Sequence, residues 1–135
     1  MQVQPYLFFD GRCEEALDFY KKTLGAKVEM MMRFKDAPDQ SMVKAESREK
    51  VMHCAFRIGD TQLMASDGHC GGKPSFQGFA LTITAKDDAE AERLFGVLGE
   101  GGQVQMPMGE TFFASRFGTV ADKFGTSWMV IKPKM

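Results

Sequence analysis

His53 is the strongest candidate for chemistry in this chain of 135 residues, which contains two histidines and three cysteines. A neutral imidazole near pH 7 can act as a general base or bind a polar group of a ligand. The simpler alternative is a structural histidine, whose ring only makes a hydrogen bond at the start of a strand. The sequence leaves both roles open, and His53 is the one residue for which we predict a catalytic role.

A second group of possible ligands lies on a glycine-rich stretch, where Asp67, His69 and Cys70 follow closely on one another. Together with His53 they would offer four donors to a metal, but their spacing matches no known ligand signature. We therefore interpret them as chance neighbours on an exposed loop. Three cysteines cannot all pair within one chain, which is typical of a reducing compartment, and we expect a cytoplasmic protein.

A predicted β-hairpin positions His53. Residues 51–58 and 61–66 alternate as strands do, and Gly59-Asp60 between them is typical of a two-residue turn. The face that we assign to a cavity carries His53, Ala55, Met64 and Ser66. The opposite face is more uniformly apolar and is expected to pack on a helix. It carries Cys54, Phe56, Leu63 and Ala65, so a buried and inert thiol is expected for Cys54.

The hairpin belongs to a unit that the sequence contains twice. In each half a strand precedes a helix, and a further strand and a hairpin follow it. The first helix is predicted at 14–24, and the second is capped by Asp87 or Asp88. The last hairpin turns at Asp122 to Gly125.

Each unit is too small to bury its own sheet face, so two must pack together in one domain. The hydrophobic fraction of 44% and the charged fraction of 26% are ordinary for a globular protein of this length. The sequence therefore predicts an α+β fold of two modules, about 1–67 and 76–135, joined by a Gly-rich link at 68–75.

Charge and hydropathy exclude two classes of partner. The formal net charge is −1, so the sequence lacks the excess of basic residues that is typical of nucleic-acid-binding proteins. The longest apolar runs are far shorter than a membrane span requires, and we expect no membrane association. The stretch Met1 to Phe9 contains Gln and Pro and lacks basic residues, so it does not resemble a signal peptide.

Short motifs along nearly the whole chain carry a family resemblance. They are Pro5-Tyr6-Leu7, Phe9-Asp10-Gly11, Glu15-Ala16, Phe19-Tyr20, Leu24-Gly25, His53-Cys54, Ile58-Gly59-Asp60, Ser66-Asp67, Thr111-Phe112-Phe113, Arg116-Phe117-Gly118, Asp122-Lys123-Phe124-Gly125 and Trp128-Met129. This set resembles the vicinal oxygen chelate (glyoxalase/bleomycin resistance/dioxygenase) superfamily, and within it the PhnB-like branch, which carries an older 3-demethylubiquinone-9 3-methyltransferase label. The resemblance implies paired βαβββ modules, each a curled sheet, around a concave site, and a homodimer.

Enzymes of that superfamily hold a divalent metal with four side chains, and this chain departs from their pattern. The resemblance puts Pro5, Met64, Gly78 and Met129 at the four ligand places. None of them suits a hard or borderline cation, since Met binds only soft ions such as Cu(I). A register slip of one residue offers no better set. We therefore expect neither a metal nor another cofactor.

The last hairpin holds two further candidates. If Met129 faces the cavity, alternation turns Trp128 to the helix side, where it would pack in the core. Phe113 belongs to a strand, 112–120, whose cavity-facing side the sequence does not settle.

The expected function is metal-free binding of a small apolar or aromatic molecule in a sheet-lined cavity. The residues predicted to contact it are Leu7, Phe9, His53, Ala55, Met64, Ser66, Phe113 and Met129. Two alternatives remain open. One is a superfamily enzyme of lyase, isomerase or dioxygenase type, with a displaced metal site or with acid–base chemistry by His53. The other is a dimeric structural or interaction module.

Overall fold

The computed structural model describes residues 1–41, 43–68 and 74–134. It divides into two compact units, Met1–Pro74 and Ser75–Met135. No helix in the described ranges is long and apolar enough to cross a membrane.

Each unit contains a strand, a helix and three further strands. The elements of the first unit are β1 (Tyr6–Phe8), α1 (Cys13–Leu24), β2 (Lys27–Arg33), β3 (Val51–Ile58) and β4 (Thr61–Ser66), with single 3-10 turns at Phe34–Asp36 and Ala45–Ser47. The elements of the second unit are β5 (Leu81–Thr84), α2 (Asp88–Gly99), β6 (Gln103–Gly109), β7 (Ala114–Ala121) and β8 (Ser127–Pro133). The predicted α+β fold of two βαβββ modules is therefore confirmed.

The two sheets have equivalent strand orders, β1-β4-β3-β2 and β5-β8-β7-β6. In each sheet the first strand runs parallel to the last one, and all other pairs are antiparallel. The β3–β4 hairpin has the predicted register, with Ile58 opposite Thr61 and Ala55 opposite Met64. The two-residue turn at Gly59-Asp60 fixes that register.

The sequence pattern predicts further strands at 6–10, 78–84 and 103–106, and each differs from the structure at one end. The strand predicted at 78–84 begins at Leu81, because Gly78 has a φ of +84°, outside the extended range of a strand. The strand predicted at 6–10 ends at Phe8, and Asp10 beyond it has a φ of +48°. The strand predicted to end before Pro107 continues through it to Gly109. It can do so because β6 is an edge strand, where a proline need not donate to a neighbour.

Helix α1 covers one face of the first sheet. Its buried residues include Ala16, Leu17 and Tyr20, and the ring of Tyr20 stacks on Phe56 of β3 at a centroid distance of 6.4 Å. The helix ends as predicted at Gly25, whose φ of +68° lies in the left-handed region. The predicted helix-facing side of the hairpin is thus the side that α1 packs against.

Asp67 joins α1 to the sheet. Helix α1 has no side-chain cap of its own from Arg12. Instead, Oδ1 of Asp67 accepts the N–H groups of Gly11 and Cys13 at 2.7 and 2.8 Å. Oδ2 accepts the N–H of Val51, the first residue of β3, at 2.8 Å. Asp67 is only 1% exposed, so its predicted place on an exposed loop was wrong. A buried carboxylate needs such donors, and this one has three of them.

We expect Asp67→Ala to lower the free energy of unfolding by at least about 3 kcal/mol, because it leaves three backbone donors without their acceptor. Asp67→Asn keeps one acceptor oxygen and should cost less. Urea denaturation measures both. Asp18→Ala is the matched control on the exposed side of α1, where the carboxylate lies 3.8 Å from the ammonium group of Lys21. This substitution should change stability by under about 0.5 kcal/mol. Equal effects of Asp67→Ala and Asp18→Ala would contradict this role.

Candidate functional site

The candidate site lies on the side of the first sheet that faces away from α1, which we call the far face. Strand pairing defines its members, since Met32 lies opposite His53, Met30 opposite Ala55, Met64 opposite Tyr6 and Phe8 opposite Ser66. The far face therefore carries Tyr6, Phe8, Met30, Met32, His53, Ala55, Met64 and Ser66. It combines three thioethers with three rings, a composition that suits planar, apolar ligands.

Tyr6 and His53 form the polar centre of the far face. The Tyr6 hydroxyl and Nδ1 of His53 are 2.9 Å apart, and the two rings stack with their centroids 5.5 Å apart. The ring of Phe8 follows on the other side of Tyr6 at 4.9 Å. Phe8 itself is 53% exposed, so this row of rings is open to contact. Tyr6 was not among the predicted site residues, because a three-residue strand shows no alternation from which its face could be inferred.

A hydrogen-bonded chain of polar side chains borders the far face near the hairpin turn. Glu29 accepts from Arg57 at 3.0 Å and from Gln62 at 2.9 Å. Gln62 in turn accepts from Gln4 at 2.9 Å. Glu29 occupies the irregularity in β2 between Val28 and Met30. The far face is thus polar at the turn end and aromatic at the end that holds His53.

Leu7 and Phe9, predicted to contact a ligand, lie on the opposite side of the sheet. The parallel register pairs Leu7 with Ala65, which faces α1, and Leu7 is 1% exposed. Phe9 is fully buried, and its ring lies 6.3 Å from that of Tyr20 on α1. Their expected place on the cavity side was therefore wrong by one residue along β1, and Tyr6 and Phe8 occupy that side instead.

Ser66 and Met64 lie on the predicted side. The hydroxyl of Ser66 is buried and accepts the N–H of Gly68 at 3.1 Å. The hydroxyl that contacts the His53 ring within hydrogen-bond distance is that of Tyr6. Met64 is half-buried between its neighbours Tyr6 and Ala55. Binding by either residue stays a prediction.

The second sheet has a corresponding side, facing away from α2, with Met129 on it. The hydroxyl of Thr82 contacts the sulfur of Met129 at 3.8 Å. The ring of Phe113 makes an edge contact with that of Phe117 at 5.4 Å, and Phe117 shares this side because Thr119, two residues on, lies opposite Met129. Phe113 therefore lies on the same side as Met129.

Trp128 faces the other way, as alternation predicts. It is 2% exposed, and its indole N–H donates to Asp122 at 2.9 Å. The same carboxylate accepts the N–H groups of Phe124 and Thr126, so it also shapes the turn between β7 and β8. Trp128 is accordingly part of the core and not of a binding surface.

The side chains of the far face are not those that hold a divalent metal. Among the described residues no three of His, Cys, Asp and Glu come together as a potential metal site. The far face offers one imidazole, the hydroxyls of Tyr6 and Ser66, and thioethers, which are poor ligands for a hard or borderline cation. Both oxygens of Asp67 already accept backbone N–H groups. His69 and Cys70 lie outside the described residues.

Comparison with known proteins gives a consistent family match. The model of the family described as 3-demethylubiquinone-9 3-methyltransferase matches residues 1–131. The crystal structure of protein PA1353 from Pseudomonas aeruginosa is 42% identical in sequence, with a TM-score of 0.87 over 98% of both chains.

Two more distant solved structures share the fold. A putative 3-demethylubiquinone-9 3-methyltransferase, PhnB protein, from Bacillus cereus is 24% identical, with a TM-score of 0.82 over 98% of this chain and 99% of its own. A member of the glyoxalase/bleomycin resistance protein/dioxygenase superfamily from Sphaerobacter thermophilus is 18% identical, with a TM-score of 0.58 over 98% of both chains. The glyoxalase-like architecture expected from the sequence is therefore present.

We expect Tyr6→Phe to change the nitrogen-15 chemical shifts of both ring nitrogens of His53, because it removes only the hydroxyl that contacts Nδ1. It should also lower the free energy of unfolding, measured by urea denaturation, by about 1 kcal/mol. Thr82→Val, which removes a hydroxyl from the second sheet, is the control and should leave the His53 signals unchanged. Unaltered His53 shifts in Tyr6→Phe would contradict the pairing.

Proposed function

The chain belongs to the 3-demethylubiquinone-9 3-methyltransferase family, and within that family we propose that it binds a small aromatic molecule on the far face of the first sheet, without a metal. The observation that carries this proposal is the Tyr6–His53 pair, set in a row of rings and thioethers. The family description names a methyl transfer, but function depends on the site and not on the fold or its label.

The far face supplies both parts of a small-molecule site, an apolar surface and a polar group that fixes orientation. Tyr6 and Phe8 offer ring faces for stacking. The side chains of Met30, Met32 and Met64 are flexible and polarizable, so they can adapt to a planar ligand. Met30 and Met32 are both 37% exposed and remain available for contact.

The Tyr6–His53 hydrogen bond determines what kind of polar group would fit. When the Tyr6 hydroxyl donates to Nδ1, the proton of the neutral imidazole is on Nε2, which then donates to the ligand. The matching ligand group is an acceptor, such as a carbonyl or carboxylate oxygen. We therefore propose an aromatic carbonyl compound as the ligand class, with His53 as its anchor and Met64 beside it.

The same pair of side chains supports a second candidate function, acid–base catalysis by His53, in the other tautomer of the imidazole. Nδ1–H would then donate to the Tyr6 oxygen at 2.9 Å, and Nε2, without a proton, would act as the general base with Tyr6 as its positioning residue. This enzyme would act on a ligand of the same class, by moving a proton next to the carbonyl group. The two functions differ in whether bound ligand exchanges protons.

We expect acetophenone to bind weakly and to shift the methyl NMR signals of Met32 and Met64 in protein labelled at its methionine methyl groups. Cumene, which has a similar shape and no carbonyl, should bind about tenfold more weakly, since one hydrogen bond is worth roughly 1.4 kcal/mol. His53→Phe should reduce the affinity for acetophenone to that for cumene. The N-terminal Met1 signal should not move.

His69→Phe is the matched control, because it makes the same substitution at the only other histidine, and it should leave the acetophenone shifts intact. Shifts that spread equally over all methionines, or equal affinity for both probes, would overturn the binding proposal. Exchange of the acetophenone methyl protons with D2O is followed in the same samples. We expect the protein not to accelerate this exchange over the rate in buffer. If it does, and if His53→Phe abolishes the acceleration, catalysis by His53 is the function and not binding alone.

We expect untagged protein to contain well under one transition-metal ion per chain by elemental analysis, before and after dialysis against Mn²⁺, Ni²⁺ and Zn²⁺. The reason is that the far face offers one imidazole and no carboxylate. Retention of one ion per chain would refute the metal-free part of the proposal. If the ion is then lost in His53→Ala but retained in His69→Ala, the metal is bound at His53.

A further inference from the structure

Two cysteines lie side by side in the core of the first unit and have no part in the proposed function. Cys13 is the first residue of α1, and Cys54 lies in the middle of β3. Their Sγ atoms are 3.9 Å apart, both thiols are free, and neither residue is exposed at all. The pair therefore connects the helix to the sheet face that the helix covers.

The surroundings of the two sulfurs differ from those of an ordinary buried thiol. With Cys13 as the donor, the hydrogen bond between the sulfurs raises the pKa of Cys13 and lowers that of Cys54. Burial raises the pKa of both thiols, because the charged form loses its hydration. Cys54 is thus the better nucleophile of the two, and the Cys13 thiol lies beside it.

We propose that Cys13 and Cys54 form a modification site, at which hydrogen peroxide or another hydroperoxide converts the two thiols into an intramolecular disulfide. In the first step the Cys54 thiolate attacks the terminal peroxide oxygen, the O–O bond breaks, and a sulfenic acid forms, with hydroxide leaving from hydrogen peroxide or an alkoxide leaving from an organic hydroperoxide. The leaving group takes up the proton that Cys54 released and becomes water or an alcohol. In the second step the sulfur of Cys13 attacks the sulfenic sulfur, an S–S bond forms, and water leaves.

The geometry supports the second step. An S–S bond is about 2.05 Å long, so the two sulfurs must approach by about 1.9 Å, which side-chain rotation and a small shift of the helix end can share. The product carries no charge, so an apolar core accepts it more easily than a thiolate. The bond would close a loop between two residues 41 positions apart and restrict the unfolded chain. Because both sulfurs are buried, the oxidant must reach them through local opening, and we expect slow oxidation.

The test treats native protein with hydrogen peroxide and then counts reactive thiols by alkylation in denaturant. The expected result is the joint loss of two thiols, a Cys13–Cys54 linked peptide on non-reducing digestion, and a urea midpoint that rises and returns with dithiothreitol. Cys13→Ala is the matched control, since it keeps two cysteines, Cys54 and Cys70, without the close pair. It should give neither the linkage nor the rise.

A second measurement removes the dependence on oxidant access. The chain is equilibrated with a glutathione redox buffer, once native and once unfolded in urea, and the Cys13–Cys54 disulfide is quantified in each. Proximity in the fold predicts a larger disulfide fraction in the native sample at the same glutathione ratio. A fraction no larger than in the unfolded sample overturns the proposal, as does peroxide treatment that gives sulfinic acids or leaves both thiols open to alkylation.

Discussion

The buried carboxylate of Asp67 is the contact on which the first unit depends. It lies at the end of β4 and accepts N–H groups from the turn before α1 and from the start of β3. Three segments distant in sequence thereby meet at one side chain. His53 is two residues from the start of β3, and Cys13 is one of the donors. The same carboxylate thus holds together the start of the strand that carries the candidate site and the helix end that carries the Cys13 thiol.

The second unit repeats the topology but uses its buried carboxylate differently. Asp122 accepts from two N–H groups of its own hairpin turn and from the indole of Trp128. Helix α2 is capped locally instead, by Asp87, which accepts the N–H of Glu90. A duplicated fold therefore does not imply duplicated function. In the first unit the start of the helix is bound to the sheet through Asp67. Among the described residues, only this unit places an imidazole beside a phenol.

The sequence predicts the fold better than the site, for physical reasons. The β3–β4 hairpin is confirmed because a two-residue turn determines its register, and the alternating faces follow from that register. Strand β1 has three residues and pairs in parallel with a strand far along the chain, so no local signal fixes its faces. Leu7 and Phe9 were consequently placed on the wrong side, and Tyr6 was missed. The burial of Asp67 was also missed. Its partners are backbone N–H groups, which nearly every residue has, so the sequence does not identify them.

Pro107 in β6 has a consequence for how the chain behaves at high concentration. An edge strand presents unpaired N–H and C=O groups, which can recruit the strand of another molecule into a continuous sheet. Proline has no N–H, so it interrupts that row where Val104 and Met106, each 49% exposed, would otherwise favour association. The register of β6 against β7 is also irregular on both sides of Met106. The strand thus remains in its own sheet while offering a poor template for aggregation.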